Sequence, residues 1–186
     1  MKISGKRVAI LATHGFEQSE LEIPRDKLKA AGATVHVVSP EKGQIKGWDK
    51  SDWGRPVKVD RQLDDVSAND YDAIVLPGGQ INPDLLRVNE KALEFIRAFF
   101  DRNKLVAAVC HAPWLLIETG IIKGRRATSY HSIKTDVINA GAKWEDSKVV
   151  VDQGVVTSRK PDDLEAFSAK IIEEIAAGRH HQRSAA

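Results

Sequence analysis

One cysteine stands where a reactive thiol is expected. Cys110 is the only cysteine among the 186 residues, and His111 follows it directly. The apolar run 104–109 leads into Cys110, and a predicted helix begins at about Ala112. Such a junction aims the side chain at a crevice, and a helix N-terminus lowers the pKa of a nearby thiol. The pattern therefore predicts a nucleophilic thiolate. The competing interpretation is a small, inert core residue.

Two distant segments carry further candidates for the same site. Glu17 lies where the first predicted helix begins, although an acid there can simply complement the helix dipole. Gly78 and Gly79 follow an apolar run and permit a sharp turn with exposed backbone N–H groups, which is also a common plain turn. His111 is a candidate base, although adjacency in sequence does not bring side chains together. No glycine pattern of a phosphate-binding loop is present, so nucleotide binding is not predicted.

The elements that must position these residues alternate between strands and helices. Solid apolar runs predict buried strands at 6–13, 33–39, 73–76 and 104–109. Helical spacing predicts helices at 20–31, 89–103, 112–119, 134–140 and 161–177. The runs 149–152 and 155–158 predict a hairpin, and a short antiparallel excursion is expected to end at 56–60. The predicted class is α/β: a flavodoxin-like three-layer sandwich with a mainly parallel sheet and helices on both faces.

In such sheets the ligand crevice lies beyond the carboxyl ends of the strands. The loops 13–17, 77–80 and 110–113 each follow a predicted strand, so we expect them to meet there. His14 is a further candidate for the lining of this crevice.

Composition narrows the classes of protein that fit. The formal net charge is +2, from 28 basic and 26 acidic residues, with no block of like charge, so nucleic acid is not an expected partner. No apolar stretch is long enough to cross a bilayer, and no signal peptide is recognised. A lone cysteine predicts a reducing, cytoplasmic setting. We expect one domain over 1–178 and a flexible tail over 179–186, with neither a cofactor nor a metal site.

Five segments resemble the ThiJ/PfpI family, which includes PfpI-type intracellular proteases and the parkinsonism-associated deglycase. They are KRVAILATHGFEQSEL, YDAIVLPGGQINPDLLR, VNEKALEFIR, AAVCHAPWLL and ATSYHSIKTDVINAGA. These segments follow the family's order and span nearly the whole chain. The Cys-His pair is similar to the PfpI branch, in contrast to the branch where a small residue follows the cysteine.

The resemblance implies a role for each matching residue. Cys110 corresponds to the oxidation-prone nucleophile in a strained backbone conformation. Glu17 corresponds to the acid that lies against this cysteine and shares a proton with it. His111 corresponds to the family histidine, and the backbone N–H groups of Gly79 and His111 correspond to an oxyanion hole. Tyr130 corresponds to a residue near the pocket, and packing in the core is its alternative role. Asp84 falls where PfpI-type proteins place an acid that reaches the histidine from a neighbouring subunit, although here the loop is one residue longer and Asp replaces Glu.

These correspondences imply a stress-response cysteine hydrolase that acts on small reactive carbonyls or glycated adducts, as deglycases and glyoxalases do. A homodimer or higher homo-oligomer is expected with it. Two alternatives remain open: an intracellular cysteine peptidase, and a non-enzymatic redox sensor or holdase chaperone that uses oxidation of Cys110. A glutamine amidotransferase is disfavoured because the late segment 158–162 lacks the histidine of that class.

Overall fold

Seven strands form the central sheet, in the order β10-β11-β7-β6-β1-β2-β5. The computed structural model describes residues 1–178 and 180. All neighbours in the sheet pair in parallel except β10 and β11, which form an antiparallel hairpin at one edge. The strands are β1 (Arg7–Leu11), β2 (Thr34–Ser39), β3 (Gln44–Asp49), β4 (Asp52–Lys58), β5 (Arg61–Gln62), β6 (Ala73–Leu76), β7 (Leu105–Val109), β8 (Arg126–Ala127), β9 (Lys143–Trp144), β10 (Val149–Asp152) and β11 (Val155–Ser158).

Helices cover both faces of this sheet. They are α1 (Gln18–Ala30), α2 (Ile81–Leu86), α3 (Glu90–Asp101), α4 (Pro113–Glu118), α5 (Lys134–Asn139) and α6 (Leu164–Ala177). Single 3₁₀ turns lie at Leu63–Asp65, Ala68–Asp70, His131–Ile133 and Pro161–Asp163. Two small two-stranded sheets, β3-β4 and β8-β9, stand beside the main one.

Strict alternation along β1 divides the core into two layers. Val8 and Ile10 pack with the buried side chains of α1 and α6. Ala9 and Leu11 point to the other face and pack with those of α3, α4 and α5. Because both faces are buried, the central strands β1, β6 and β7 are apolar throughout except for Arg7 at the start of β1, as the continuous apolar runs predicted. The predicted three-layer α/β sandwich with a mainly parallel sheet is confirmed.

The predicted elements agree with the structure in kind and differ mainly at their ends. The hairpin of β10 and β11 and the antiparallel excursion of β3 and β4 are both present. The helix α2 is absent from the prediction, because Pro83 in a six-residue polar and apolar mixture gives no clear periodicity. The predicted flexible tail, apart from His180, lies outside the described residues. None of the described helices has the length and apolar content to span a bilayer.

Truncation of Phe99 tests how much the core between α3 and the sheet contributes to the stability of the fold. Its ring is fully buried and packs edge-on against Phe95 at 5.1 Å between centroids. We expect Phe99→Ala to lower the free energy of unfolding by about 3–5 kcal/mol, since the cavity adds to the lost transfer energy. Urea denaturation measures this change. Ile138→Ala is the control, because Ile138 is 45% exposed and its truncation should change stability by no more than about 0.5 kcal/mol. Equal losses in both variants would contradict this account of the core.

Candidate active site

Cys110 sits on a strained turn at the carboxyl end of β7. Its φ of +63° lies in the left-handed region, which costs a non-glycine residue on the order of 1–3 kcal/mol. Neighbouring segments hold both of its backbone polar groups: its N–H donates to Ser158 O at 3.0 Å, and its carbonyl accepts from Tyr130 N–H at 2.8 Å. The strained backbone that the family resemblance implied is therefore present, and it turns the side chain away from the strand.

Glu20, and not Glu17, lies against the Cys110 sulfur. The Glu20 carboxyl is fully buried beside the thiol and accepts the Gly78 N–H at 2.9 Å through Oε2, while Oε1 has no hydrogen-bond partner among the described residues. The pKa of Glu20 is raised to about 8, chiefly by burial and also by the charge of Glu17, while the interactions with Cys110 and with the backbone N–H groups of Gly78 and Gly79 oppose the rise. Glu20 is therefore protonated at neutral pH. The sequence prediction that Glu17 occupies this position is corrected.

Helix geometry explains the correction. Glu17 is the residue that precedes α1, so its side chain points along the rim of the crevice. Glu20 lies in the first turn of α1, on the buried face that it shares with Leu21, Pro24 and Leu28. A lone carboxylate in an apolar helical stripe is the sequence signal that could have identified Glu20, because a charged residue is rarely buried without a specific partner.

Glu17 instead forms part of the wall of the cavity in front of the thiol. Its carboxylate accepts the backbone N–H of Lys50, and its backbone pairs with Trp48 of β3 in an isolated bridge. Partial burial raises the pKa of Glu17. Glu17 and Glu20 both line this cavity, but of the two only Glu20 is fully buried.

The electrostatics of the thiol differ from the sequence prediction. Burial raises the pKa of Cys110, the negative charge of ionised Glu20 raises it further, and hydrogen bonds from the backbone N–H groups of Gly79 and His111 lower it. The predicted lowering by a helix N-terminus is not found, because α4 begins only at Pro113 and has six residues. The groups that stabilise a thiolate are therefore the two N–H groups and a protonated Glu20.

Gly78 and Gly79 are needed for this close approach. A Cβ built on Gly78 would lie 2.6 Å from Glu20 Oε2 and 2.7 Å from Cys110 Cβ. Gly79 has φ of +78°, and a Cβ there would lie 2.6 Å from Gly15 O. At the predicted turn after β6 the backbone therefore lies directly against the site. A larger residue at either glycine would displace the neighbouring groups.

His111 faces the thiol through its side chain as well as its backbone. Nδ1 lies 3.1 Å from Cys110 Sγ, and Nε2 lies 3.2 Å from Ser132 Oγ. The ring stacks on Tyr130, with 4.9 Å between centroids and 26° between planes. Burial lowers the pKa of His111 to about 4, and the charge of His131 adds to this effect. The imidazole is therefore uncharged at neutral pH and can accept a proton.

The remaining predicted site residues fall in different places. Tyr130 lines the cavity as well as stacking on His111. Asp84 is exposed on α2 and makes no described contact with His111 of its own chain. His14 does not line the cavity, because its Nδ1 accepts the backbone N–H of Lys46 at 3.0 Å and braces β3.

Asn82 organises the loops of the site and was not predicted. Its fully buried side chain accepts the Thr13 N–H at 2.7 Å and donates to Pro77 O at 2.9 Å and Gly78 O at 3.3 Å. These bonds join the segments that follow β1 and β6. A buried amide with three backbone partners has no distinctive sequence pattern, so only the structure identifies it.

A cavity of about 530 Å³ opens in front of Cys110. Its walls combine aromatic, apolar and charged side chains and short backbone segments: Gly15, Glu17, Glu20, Trp48, Lys50, Gly79, Gln80, Ile81, Cys110, His111, Tyr130 and Pro161. Across residues 1–178 and 180, no three His, Cys, Asp or Glu side chains are grouped so as to hold a metal ion. The arrangement is that of a thiol, a neutral base and a protonated acid around one small chamber.

Comparison with known proteins agrees with this geometry. The family model described as DJ-1/PfpI matches residues 6–174. The chain belongs to the DJ-1/PfpI family. It is 44% identical over 166 residues to Deglycase PfpI of Pyrococcus furiosus, covering 89% of this chain and 97% of that protein. It is 43% identical over 170 residues to General stress protein 18 of Bacillus subtilis, covering 90% and 96% of the two chains.

Solved structures of the DJ-1/PfpI family have the same fold. DJ-1beta of Drosophila melanogaster superposes with a TM-score of 0.85 at 30% identity, covering 94% of this chain and 91% of that one. Membership of the family, together with its deglycase relatives, identifies the chain as an enzyme of the hydrolase class.

The raised pKa of Glu20 predicts a specific dependence of stability on pH. Below about pH 4.5 Glu20 is protonated in both states, whereas between pH 4.5 and 8 only the folded state keeps the proton. Stability contributed by the protonated carboxyl is therefore lost as pH rises through this window, by up to about 1.4 kcal/mol per pH unit. We expect the unfolding free energy of the wild type to fall relative to that of Glu20→Gln from pH 5 to 8.

Urea denaturation of both proteins at several pH values measures this difference. The titration of His111 occurs in both proteins and cancels in the comparison. A difference that stays constant from pH 5 to 8 would mean that Glu20 is ionised in the folded protein, contrary to the structure.

Proposed function

We propose that this protein is a stress-response cysteine hydrolase that acts on small reactive carbonyls or their glycated adducts. The observation that carries the proposal is the position of Cys110 Sγ between the Glu20 carboxyl and His111 Nδ1, at the base of a small cavity. The deglycase names of relatives that match almost their full length support the same chemistry. Cys110 is the nucleophile in this proposal, and no cofactor is required.

In the first step the thiol sulfur attacks the carbonyl carbon of the substrate. The thiol proton passes to His111 Nδ1, which is uncharged at neutral pH and lies 3.1 Å from the sulfur. The carbonyl oxygen becomes an oxyanion, which the N–H groups of Gly79 and His111 are placed to receive because both already point at the sulfur. Protonated Glu20 then supplies a proton to this oxygen or to the sulfur when the product leaves.

A small dicarbonyl fits the volume of the chamber, and its conversion needs no external oxidant or reductant. Conversion of a 2-oxoaldehyde to a 2-hydroxy acid adds one water, oxidises the aldehyde carbon and reduces the neighbouring carbon. The electrons therefore balance within the substrate. A cavity of about 530 Å³ accepts such a molecule, or a short adducted side chain, next to the sulfur.

A second candidate function is redox sensing through Cys110. Cys110 is a free thiol, and no other cysteine in the chain can resolve a sulfenic acid as an intramolecular disulfide. Oxidation would then proceed to the sulfinic acid, whose oxygens could accept a hydrogen bond from protonated Glu20. The raised pKa of the buried thiol opposes oxidation and nucleophilic attack alike, so the deglycase names of the relatives are what make the hydrolase the stronger candidate.

The proposal includes a homo-oligomer in a reducing cytoplasm. Support for assembly comes from the α2 surface, where Ile81, Leu85 and Val88 are 37%, 49% and 80% exposed around Asp84. We expect light scattering to give at least a dimer, and Leu85→Asp to shift it towards monomer. Ile138→Asp is the control, because Ile138 is equally exposed on α5. A monomeric wild type would contradict this part of the proposal.

Turnover of methylglyoxal tests the assignment of the nucleophile and the acid. We expect Cys110→Ala to abolish formation of the 2-hydroxy acid. Glu20→Gln should reduce kcat on the order of 10²-fold, because the proton donor is lost while the shape is kept. Glu17→Gln is the matched comparison, since it makes the same substitution in the cavity wall three residues away without removing the acid beside the sulfur, and its loss of kcat should be much smaller than that of Glu20→Gln.

Two results would contradict the proposal. Equal turnover in Cys110→Ala and the wild type would exclude the thiol, and a loss in Glu17→Gln without a loss in Glu20→Gln would reverse the roles of the two acids. Absence of turnover in the wild type, with selective addition of oxygen to Cys110 by dilute peroxide in mass spectrometry, would favour the redox candidate.

A further inference from the structure

The imidazole of His111 has two possible orientations that occupy the same space. Its plane is fixed by Tyr130, stacked at 4.9 Å, and by the edge of Trp114, with 5.2 Å between centroids. A rotation of 180° about the Cβ–Cγ bond returns the ring to the same plane and keeps both contacts. The same rotation replaces Nδ1 with a carbon at the Cys110 sulfur. Ring packing alone therefore does not keep a nitrogen at the thiol.

Hydrogen bonds at the nitrogens select one orientation. Nδ1 lies 3.1 Å from Cys110 Sγ, and Nε2 lies 3.2 Å from Ser132 Oγ on the opposite side of the ring. In the flipped orientation the Ser132 hydroxyl would face a carbon and lose this partner. Asp84, which the family resemblance placed against His111 from another subunit, makes no described contact with His111 within the chain.

The backbone holds Ser132 at a fixed distance from the nucleophile. Ser132 lies in the 3₁₀ turn His131–Ile133, whose Ile133 side chain is buried in the core. Tyr130, the residue just before this turn, donates its backbone N–H to the Cys110 carbonyl at 2.8 Å. The turn that carries the hydroxyl is thus bonded directly to the strained elbow that carries the sulfur.

We propose that Ser132 is the positioning residue of His111, and that its hydroxyl does within one chain what a carboxylate does in a Cys-His-acid triad. Nε2–H donates to Ser132 Oγ, so the lone pair of Nδ1 faces the thiol. The thiol proton then passes from Sγ to Nδ1, which gives a thiolate and an imidazolium, while Nε2–H stays bonded to Ser132. A hydroxyl adds no charge, so His111 remains an uncharged base until that transfer occurs.

This inference rests on the proposed role of Cys110 as nucleophile, but its test does not need the substrate. The rate of Cys110 alkylation by iodoacetamide at pH 7 reports activation of the thiol directly. We expect Ser132→Ala to slow alkylation about tenfold, the equivalent of about 1.4 kcal/mol for one neutral hydrogen bond. Ser132→Thr keeps a hydroxyl at the same position and should restore the wild-type rate. Thr135→Ala is the control, because it removes an exposed hydroxyl three residues further along the chain and should leave the rate unchanged.

A spectroscopic readout separates positioning from loss of structure. The ¹⁵N shifts of the His111 ring nitrogens report which nitrogen carries the proton. We expect them to change in Ser132→Ala and to stay unchanged in Ser132→Thr, with the same melting temperature in all three proteins. A wild-type alkylation rate in Ser132→Ala, or an equal loss in Ser132→Ala and Ser132→Thr, would overturn the inference. A loss confined to Asp84→Asn would assign the role to the acid of another subunit.

Discussion

The contact between Cys110 and Glu20 is the constraint on which the site depends. Two groups that can both ionise are buried side by side, and burial raises the pKa of each. Two negative charges cannot be accommodated together in such a place, so the pair holds at least one proton. That proton makes Glu20 a donor instead of a second charge, and it makes a buried thiolate possible.

This contact requires unusual backbone at two positions. Cys110 adopts φ of +63°, and Gly78 passes so close to both side chains that a Cβ would collide with them. The strain is balanced by regular structure around it, because the Cys110 backbone bonds to Ser158 and Tyr130. The Asn82 side chain hydrogen-bonds to both the loop after β1 and the loop after β6. The rigid parallel sheet thus fixes three loops that carry little regular structure themselves.

The histidine contributes differently from the acid. Aromatic contacts and burial hold His111 in place and keep it uncharged, whereas Glu20 is kept protonated. One neutral base and one neutral acid therefore flank the sulfur at neutral pH. The hairpin of β3 and β4 completes the chamber by bringing Trp48 and Lys50 to its wall. These residues lie far from the elbow in sequence and form part of the wall in front of the thiol.

The sequence by itself determined the α/β fold, the order of strands and helices, and the elbow with its cysteine, because apolar runs and helical periodicity report burial directly. It also identified Gly79 and His111 as neighbours of that cysteine. It assigned Glu17 where the structure has Glu20, since both stand at the start of one helix and only the rotation of α1 against the sheet decides which carboxyl reaches the sulfur. Asn82, Ser132 and the raised pKa of the thiol likewise depend on distances between remote segments. Such distances are decided by tertiary packing and leave no pattern in the sequence.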